Sequence, residues 1–121
     1  LIIDILENEA TELYFELRAS KTQSTLITYN TRTQKLTLDR SESGPLPEPV
    51  DGTTRSTVLD TPLQQLQIFV DTSSIEIFCN DGERVLTSRI FPDSEATGIK
   101  ASTESGQVYL KFTKYDLEEN V

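Results

Sequence analysis

Apolar and polar side chains alternate with a period of two along much of the chain. In residues 11–20 (TELYFELRAS) one face is apolar and is formed by Leu13, Phe15, Leu17 and Ala19. Residues 107–115 (QVYLKFTKY) alternate in the same way, with an apolar face formed by Val108, Leu110 and Phe112. Shorter runs of this kind are STLITYN, QKLTLD, STVLD and TGIKAST. Such alternation is typical of antiparallel strands that bury one face, so the pattern predicts a chain built from strands.

Short polar breaks separate these runs, namely Asn30-Thr31, Ser43-Gly44, Asp51-Gly52, Thr72-Ser73, Asp81-Gly82 and Ser105-Gly106. Residues of these types favour tight turns. The opening LIIDILENEA has an apolar spacing that a helix could use, but the alternation beside it favours a strand. We therefore expect an all-β fold of roughly nine or ten short strands. The predicted architecture is a two-sheet antiparallel β-sandwich of the lectin or glucanase type, forming one domain over residues 1–121.

One long irregular link, SESGPLPEPVDGT at residues 41–53, interrupts the alternation. Its prolines at positions 45, 47 and 49 exclude a central strand, because proline cannot donate a ladder hydrogen bond. We interpret the link as a surface connection between the sheets. The alternative is a docking loop for another domain, because a proline-rich loop loses little entropy when it binds.

Residues 67–92 (QIFVDTSSIEIFCNDGERVLTSRIFP) predict a meander of three strands with hairpin turns at 71–74 and 80–83. Asp81-Gly82 suits a two-residue type I′ turn, which needs positive φ at both central positions. The resulting register sets these cross-strand neighbours: Phe78 with Val85, Ile77 with Leu86, Glu76 with Thr87, and a diagonal ion pair of Glu76 with Arg89. The middle strand is apolar on both faces, so we expect it to be central in its sheet and covered on both sides.

Composition and charge exclude several classes of partner. The 121 residues include 20 acidic and 11 basic side chains, which give a net charge of −9 at pH 7. Such a domain repels phosphate backbones and anionic headgroups, so we expect no nucleic-acid partner and no membrane partner. No apolar run approaches the roughly 18 residues that span a bilayer. The chain contains no methionine, and we expect it to begin inside a longer protein.

The residue types that carry most catalytic and metal chemistry are missing. The absence of histidine excludes a histidine base, a Ser-His-Asp triad and zinc sites built from cysteine and histidine. Cys79, the single cysteine, lies in a predicted strand and is interpreted as a small buried hydrophobe. The carboxylates Asp71, Glu76 and Asp81 fit turn and cross-strand roles better than a glycosidase pair. We predict no catalytic, no cofactor-binding and no metal-binding residue, and a cysteine content compatible with the cytoplasm.

The meander resembles a known family in residue type and spacing together. The resembling residues are Phe69, Val70, Asp71, Ser73, Ser74, Glu76, Phe78, Asn80, Asp81, Gly82, Thr87, Arg89 and Pro92. A second match is LTLDRSESG at residues 36–44, and Arg55 is a weaker third. On these residues the chain resembles the carboxy-terminal β-sandwich module of glycoside hydrolase family 32. That family contains invertases, sucrose-6-phosphate hydrolases and fructan hydrolases.

The resemblance implies that the catalytic centre lies elsewhere in a parent enzyme. In that family the active site belongs to an amino-terminal five-bladed propeller with a Trp-Met-Asn-Asp-Pro-Asn-Gly run, an Arg-Asp-Pro triplet and a Glu-Cys pair. None of these motifs occurs here, so no catalytic residue can be carried over. The resemblance further implies that the sandwich packs on the propeller, and that in some members it helps to form a homodimer. The meander is then scaffold and interface.

Two other function classes remain open from the residues. One is a carbohydrate-binding, lectin-like module, although such sites often stack aromatic rings on sugars and this chain has no tryptophan. The other is a self-associating assembly module. For the docking role, we expect one sandwich face, or the rim near residues 44–52, to be the contact surface. The alternative to an exposed docking surface is that Phe69 and Phe78 lie under a neighbouring loop and leave no apolar patch.

Overall fold

The computed structural model describes residues 1–20, 23–40, 54–71, 73–90 and 98–113. Within these ranges the secondary structure consists of ten strands: β1 (Ile2–Asn8), β2 (Glu12–Ala19), β3 (Thr25–Asn30), β4 (Lys35–Asp39), β5 (Thr54–Val58), β6 (Gln65–Val70), β7 (Ser74–Cys79), β8 (Arg84–Arg89), β9 (Gly98–Glu104) and β10 (Val108–Thr113). The opening segment is a strand, as its neighbour's alternation predicted. The described residues contain no helix long and apolar enough to cross a membrane.

The strands form two five-stranded antiparallel sheets packed as a sandwich. Sheet A has the order β10-β1-β6-β7-β8, and sheet B has the order β5-β4-β3-β2-β9. This confirms the predicted all-β sandwich. The link at 41–53 joins β4 to β5, which pair with each other in sheet B. It therefore connects two strands of one sheet, and the predicted connection between sheets is wrong. The link itself, with the rim at 44–52, lies outside the described residues.

The core lies between the sheets and is filled by the apolar faces that the alternation predicted. In β2 the side chains of Leu13, Phe15, Leu17 and Ala19 are all buried. Ile3, Leu66, Ile68, Ile75 and Ile77 fill the core from sheet A. In β10, Val108 and Leu110 pack against this core, but Phe112 is 45% exposed. β10 is an edge strand with a neighbour on one side only, so alternation alone overestimated the burial of its end.

The β7–β8 hairpin has the predicted register. Phe78 pairs with Val85, Ile77 with Leu86 and Glu76 with Thr87. At the turn, Asp81 has a φ of 61° and Gly82 a φ of 93°, so both central residues are left-handed as a type I′ turn requires. Asn80 also has a positive φ of 48°, which the sequence did not predict. The β6–β7 hairpin forms as well, with Val70 opposite Ile75, while Thr72 in its turn lies outside the described residues.

Two expectations for β7 are corrected by the structure. β7 lies between β6 and β8 and is an interior strand of sheet A, as expected, but its two faces are not both covered. Its inner side chains are buried, but outward-facing Glu76 is exposed and Phe78 only partly buried, so within this chain one face is covered. Arg89 stands opposite Ser74, and no ion pair joins it to Glu76 among the described residues.

Candidate functional site

Of the three carboxylates weighed as catalytic candidates, Asp71 and Asp81 lie at opposite ends of β7. Asp71 follows β6, and its backbone N–H donates to the Ser74 carbonyl over 2.9 Å. Asp81 lies in the turn at the other end of β7, which places it about 20 Å away at the usual rise of a strand. Glu76 is exposed in mid-strand between Phe69 and Thr87. Since glycosidase carboxylates stand roughly 5–10 Å apart, Asp71 and Asp81 do not form such a pair.

Cys79 has the environment of an inert thiol. Its side chain is fully buried at the end of β7 and unpaired by any disulfide. Burial raises the pKa of the Cys79 thiol to about 11, with a smaller contribution from Glu83. The thiol is therefore protonated at neutral pH, which suits a small hydrophobe and not a nucleophile or metal ligand. Within the described ranges, no three cysteine, aspartate or glutamate side chains are grouped as a metal site requires.

One end of the sandwich is held by a polar network that we name the polar clamp, formed by Asp60, Thr61, Asn80, Glu83 and Arg84. The Asn80 side chain joins the turn after β7 to the loop before β6. Its Oδ1 accepts from the backbone N–H groups of Gln64 and Gln65 at 2.7 and 3.1 Å. Its Nδ2 donates to the Pro62 carbonyl at 2.9 Å. The Asn80 side chain thus adds to the backbone hydrogen bond from the Asn80 N–H to the Gln65 carbonyl, which is 2.9 Å long.

Glu83 completes the polar clamp from the start of β8. Its carboxylate accepts from the Thr61 hydroxyl at 2.7 Å and from the Asp60 backbone N–H. These two hydrogen bonds, the Thr61 bond first, lower the pKa of Glu83. Arg84 adds an ion pair with Asp60 at 3.2 Å. Sequence reasoning missed Glu83, Thr61 and Asp60, because Glu83 is 22 and 23 residues from its two partners and no local pattern joins them.

Two surface grooves bear on the carbohydrate-binding alternative. The first lies beside the polar clamp and is lined by Asp4, Ile5, Leu6, Thr61, Gln64, Gln65, Asn80, Asp81 and Glu83. No aromatic ring lines it, and its Asn80 amide is engaged in the clamp. The second lies between the edge strands β9 and β10 and includes the exposed ring of Tyr109 beside Ser102 and Thr103. Only this second groove offers a ring on which a sugar could stack.

The outer face of sheet A carries apolar side chains where a solvated sheet would carry polar ones. Ile2, Phe69, Phe78 and Val85 lie on this face, and we name them the apolar patch. Phe69 is 40% exposed and Val85 46% exposed. The rings of Phe69 and Phe78 meet edge to face, with centroids 5.7 Å apart and planes at 90°. Phe69 therefore keeps exposed apolar surface, while Phe78 is only partly buried.

The outer face of sheet B has the opposite character. One row across all five of its strands carries a hydroxyl at every position: Ser102, Tyr14, Thr28, Thr37 and Ser56. The matching row across sheet A reads Thr113, Ile2, Gln67, Phe78 and Val85. An exception on sheet B is Val58, which lies on edge strand β5 and is 55% exposed. The two outer faces are thus chemically distinct.

The architecture and its faces define a β-sandwich module with one polar outer face and one partly apolar outer face. The domain family described as "Glycosyl hydrolases family 32 C terminal" matches residues 2–118. The chain therefore belongs to the C-terminal domain family of family 32 glycosyl hydrolases, which confirms the resemblance carried by the β6–β8 meander.

Curated relatives and solved structures agree with this assignment. The chain is 82% identical over 118 residues to a sucrose-6-phosphate hydrolase of Staphylococcus xylosus, covering 98% of this chain and 24% of that protein. It is 39% identical over 106 residues to a levanase of Bacillus subtilis, covering 84% of this chain and 16% of that protein. The chain thus spans at most a quarter of the length of these relatives.

Two enzyme structures contain the same sandwich. The exo-inulinase of Aspergillus awamori superposes with a TM-score of 0.76 at 30% identity, over 90% of this chain and 22% of that one. The sucrose-6-phosphate hydrolase of Lactobacillus gasseri superposes with a TM-score of 0.70 at 33% identity, over 90% of this chain and 23% of that one. In both, most of the enzyme lies outside the region that this chain matches.

Proposed function

We propose that this chain is the non-catalytic C-terminal β-sandwich of a β-fructofuranosidase-type glycoside hydrolase that acts on sucrose 6-phosphate or sucrose. The observation that carries the proposal is the 82% identity over 118 residues to a sucrose-6-phosphate hydrolase of which the chain covers only 24%. At such identity the parent protein shares its relative's domain plan. The residues that perform hydrolysis then belong to the remaining three quarters of the parent, in the five-bladed propeller that the family resemblance implies.

The described residues support a module without chemistry of its own. Asp71 and Asp81 are at opposite ends of β7, and Cys79 is buried with a raised pKa. In the polar clamp, the Glu83 carboxylate is occupied by its hydrogen bond to Thr61, which fixes the loop before β6. These contacts are typical of a scaffold. In the parent, the role of the sandwich is to stabilise the catalytic propeller and, where the parent forms a homodimer, to stabilise that dimer. We place the parent in the cytoplasm, where a phosphorylated sugar substrate is retained by its charge.

The test is to prepare the parent enzyme with and without residues 1–121 and to follow hydrolysis of sucrose 6-phosphate and sucrose. We expect the intact parent to hydrolyse at least one of them and the truncated parent to lose solubility or unfold at a lower temperature. A truncated parent with unchanged activity and unchanged thermal unfolding would contradict the stabilising role. An intact parent that hydrolyses neither sugar nor a fructan would contradict the assigned activity.

A lectin-like role is the second candidate, and the groove at Tyr109 is the observation that favours it. The exposed ring of Tyr109 beside hydroxyls of Ser102 and Thr103 resembles the mixed lining with which proteins hold sugars. Calorimetric titration of the chain with inulin and levan tests this candidate. Binding that disappears in Tyr109→Ala would establish it, and the absence of heat at millimolar sugar would remove it.

A further inference from the structure

The turn between β7 and β8 presents an aspartate followed by glycine to solvent. Asp81 and Gly82 are both exposed. Within the part of the chain that the structure describes, the Asp81 carboxylate makes no hydrogen bond and no ion pair. A Cβ built on Gly82 would meet no atom within 4 Å, so no neighbouring side chain crowds the Gly82 backbone. A free carboxyl group next to an uncrowded amide nitrogen is the arrangement in which aspartate can close a five-membered ring with its own backbone.

This exposed pair lies in a strained segment that is held at both ends. Asn80, Asp81 and Gly82 are three consecutive left-handed residues, with φ values of 48°, 61° and 93°. Strained conformations of non-glycine residues persist only where the surrounding structure holds them. The polar clamp supplies that hold, because the Asn80 side chain is bonded to the loop before β6 and the Glu83 carboxylate accepts from the Thr61 hydroxyl at 2.7 Å.

The closed turn keeps the reacting groups of Asp81 and Gly82 apart. The Gly82 N–H donates to the Cys79 carbonyl at 3.0 Å, and the Glu83 N–H donates to the same oxygen at 2.8 Å. In a left-handed residue, the nitrogen of the next residue lies on the far side of the Cα–C bond from the Cβ. Ring closure therefore requires Asp81 to leave its left-handed conformation, and the turn must open first.

We propose that Asp81 is an isomerisation site that the polar clamp keeps unreactive while it is closed and that reacts when the clamp opens. The Gly82 nitrogen attacks the Cγ of the protonated Asp81 carboxyl group, and an N–Cγ bond forms. The amide proton and the carboxyl hydroxyl leave together as water, which gives a succinimide ring. A water molecule then adds to the α-carbonyl carbon and breaks its bond to the nitrogen, which gives isoaspartate. One water is released and one consumed, and nothing is oxidised or reduced.

Isomerisation changes the turn that produced it. In isoaspartate the backbone runs through the side chain, so one additional methylene separates residue 81 from Gly82. Asn80 and Glu83 hold the clamp from the two sides of this insertion. With the longer turn, their side chains no longer match their partners in the loop before β6. The product therefore closes the clamp less well than the original chain, and each isomerised molecule records an earlier opening of the turn.

The test follows isoaspartate at residue 81 while the chain is stored in mildly acidic buffer, folded or in guanidinium chloride. A protease that cleaves before aspartate but not before isoaspartate, followed by mass spectrometry, measures the modified fraction. The second Asp-Gly step, Asp51-Gly52, lies outside the described residues and is scored on its own peptide. Asp81→Ser cannot form the ring and gives the background signal.

Two variants weaken the polar clamp, and one matched variant does not. Thr61→Val removes the hydroxyl that donates to Glu83, and Glu83→Gln serves as a second clamp variant if Thr61→Val does not fold. Thr37→Val is the control, because it makes the same substitution on the outer face of sheet B. Circular dichroism establishes that each stored variant is folded.

In guanidinium chloride we expect every chain that retains Asp81 to form isoaspartate at the same rate. In the folded state the unsubstituted chain and Thr37→Val should react at least about tenfold more slowly than in denaturant, and a clamp variant about tenfold faster than the folded unsubstituted chain. Three results would each overturn the proposal: no isoaspartate at residue 81 in denaturant, equal rates in the folded and denatured chain, or folded clamp variants that react no faster than Thr37→Val. The purified isomerised chain should also unfold at a lower temperature than the unmodified chain, and equal unfolding temperatures would contradict the effect on the clamp.

Discussion

Gly106 packs directly against the backbone of Glu9. A Cβ added at Gly106 would overlap the Glu9 carbonyl oxygen and lie 2.8 Å from the Glu9 carbonyl carbon. Gly106 also has a φ of 133°, a conformation that side chains with a Cβ rarely adopt. The contact brings the β9–β10 turn against the end of β1, where the Glu9 N–H donates to the Gln107 carbonyl at 2.8 Å.

We expect Gly106→Ala to destabilise the domain by about 2–4 kcal/mol, because backbone strain and steric overlap add. Gly82→Ala is the comparison, since its φ is also positive but a Cβ there meets no atom within 4 Å. Gly82→Ala should lower the free energy of unfolding by only about 1 kcal/mol. Urea denaturation followed by circular dichroism measures both. Equal midpoints for the two variants would show that the contact with Glu9 relaxes freely.

Gly82→Val tests the β7–β8 turn itself. With a φ of 93° at Gly82, a β-branched side chain is strained, and we expect a loss of about 1–3 kcal/mol. Gly82→Asn should be tolerated better, because asparagine adopts left-handed conformations more readily. Both variants are compared by their denaturation midpoints. A midpoint for Gly82→Val that equals the unsubstituted chain would contradict the left-handed turn.

Glu83→Gln tests the polar clamp and its pH dependence. Hydrogen bonds from Thr61 and Asp60 lower the pKa of Glu83 in the folded state. The ionised Glu83 therefore adds to the free energy of unfolding at pH values above the pKa that Glu83 has in the unfolded chain. That contribution is lost as the pH falls through the folded pKa. We expect Glu83→Gln to lower stability at pH 7 and to converge with the unsubstituted chain in acid.

The control for the clamp is Glu76→Gln, since Glu76 is exposed on the outer face of sheet A. Thermal unfolding of both variants from pH 3 to pH 7 should show a pH-dependent difference for Glu83 only. If the two variants shift the melting curve alike at every pH, the hydrogen bonds to Glu83 do not stabilise the fold.

The contribution of Cys79 to stability should change with pH only in alkaline solution. Its pKa rises from an ordinary value of 9.0 to about 11 on folding, so the folded state holds the proton more tightly than the unfolded state. The resulting stabilisation, on the order of 2 kcal/mol, is complete below pH 9 and disappears as the pH rises through 11. We expect the stability difference between the unsubstituted chain and Cys79→Ala to shrink from pH 8 to pH 11. A constant difference over this range would refute the raised pKa.

The isolated chain should not hydrolyse sucrose, sucrose 6-phosphate or inulin. Asp71 and Asp81 are separated by the length of β7, and the family's catalytic motifs do not occur in the sequence. Release of reducing sugar by the purified chain is the measurement. Turnover that copurifies with the chain and is lost in Asp71→Asn or Glu76→Gln would disprove the assignment as a non-catalytic module.

The register of the β7–β8 hairpin could be predicted because its determinants are neighbours in sequence. Asp81-Gly82 specifies left-handed residues, and alternation on both sides aligns Ile77 with Leu86 and Phe78 with Val85. The polar clamp could not be predicted in this way. Asn80 and Glu83 find their partners in the loop at Asp60–Gln65, and that approach depends on how β6 is placed in sheet A.

The sequence by itself determined the period-two strands, the turns at Gly82 and Gly106, the family, and the absence of catalytic motifs, because each depends on residues close together or on identity alone. Only the tertiary structure decided which strands become neighbours. It placed β1 between β10 and β6, joined β4 to β5 across the proline link, and left Phe112 exposed at an edge. It also decided that the outward-facing side chains of β7 are exposed or only partly buried. Strand order and exposure depend on contacts between residues far apart in sequence, and no local pattern encodes which face meets which partner.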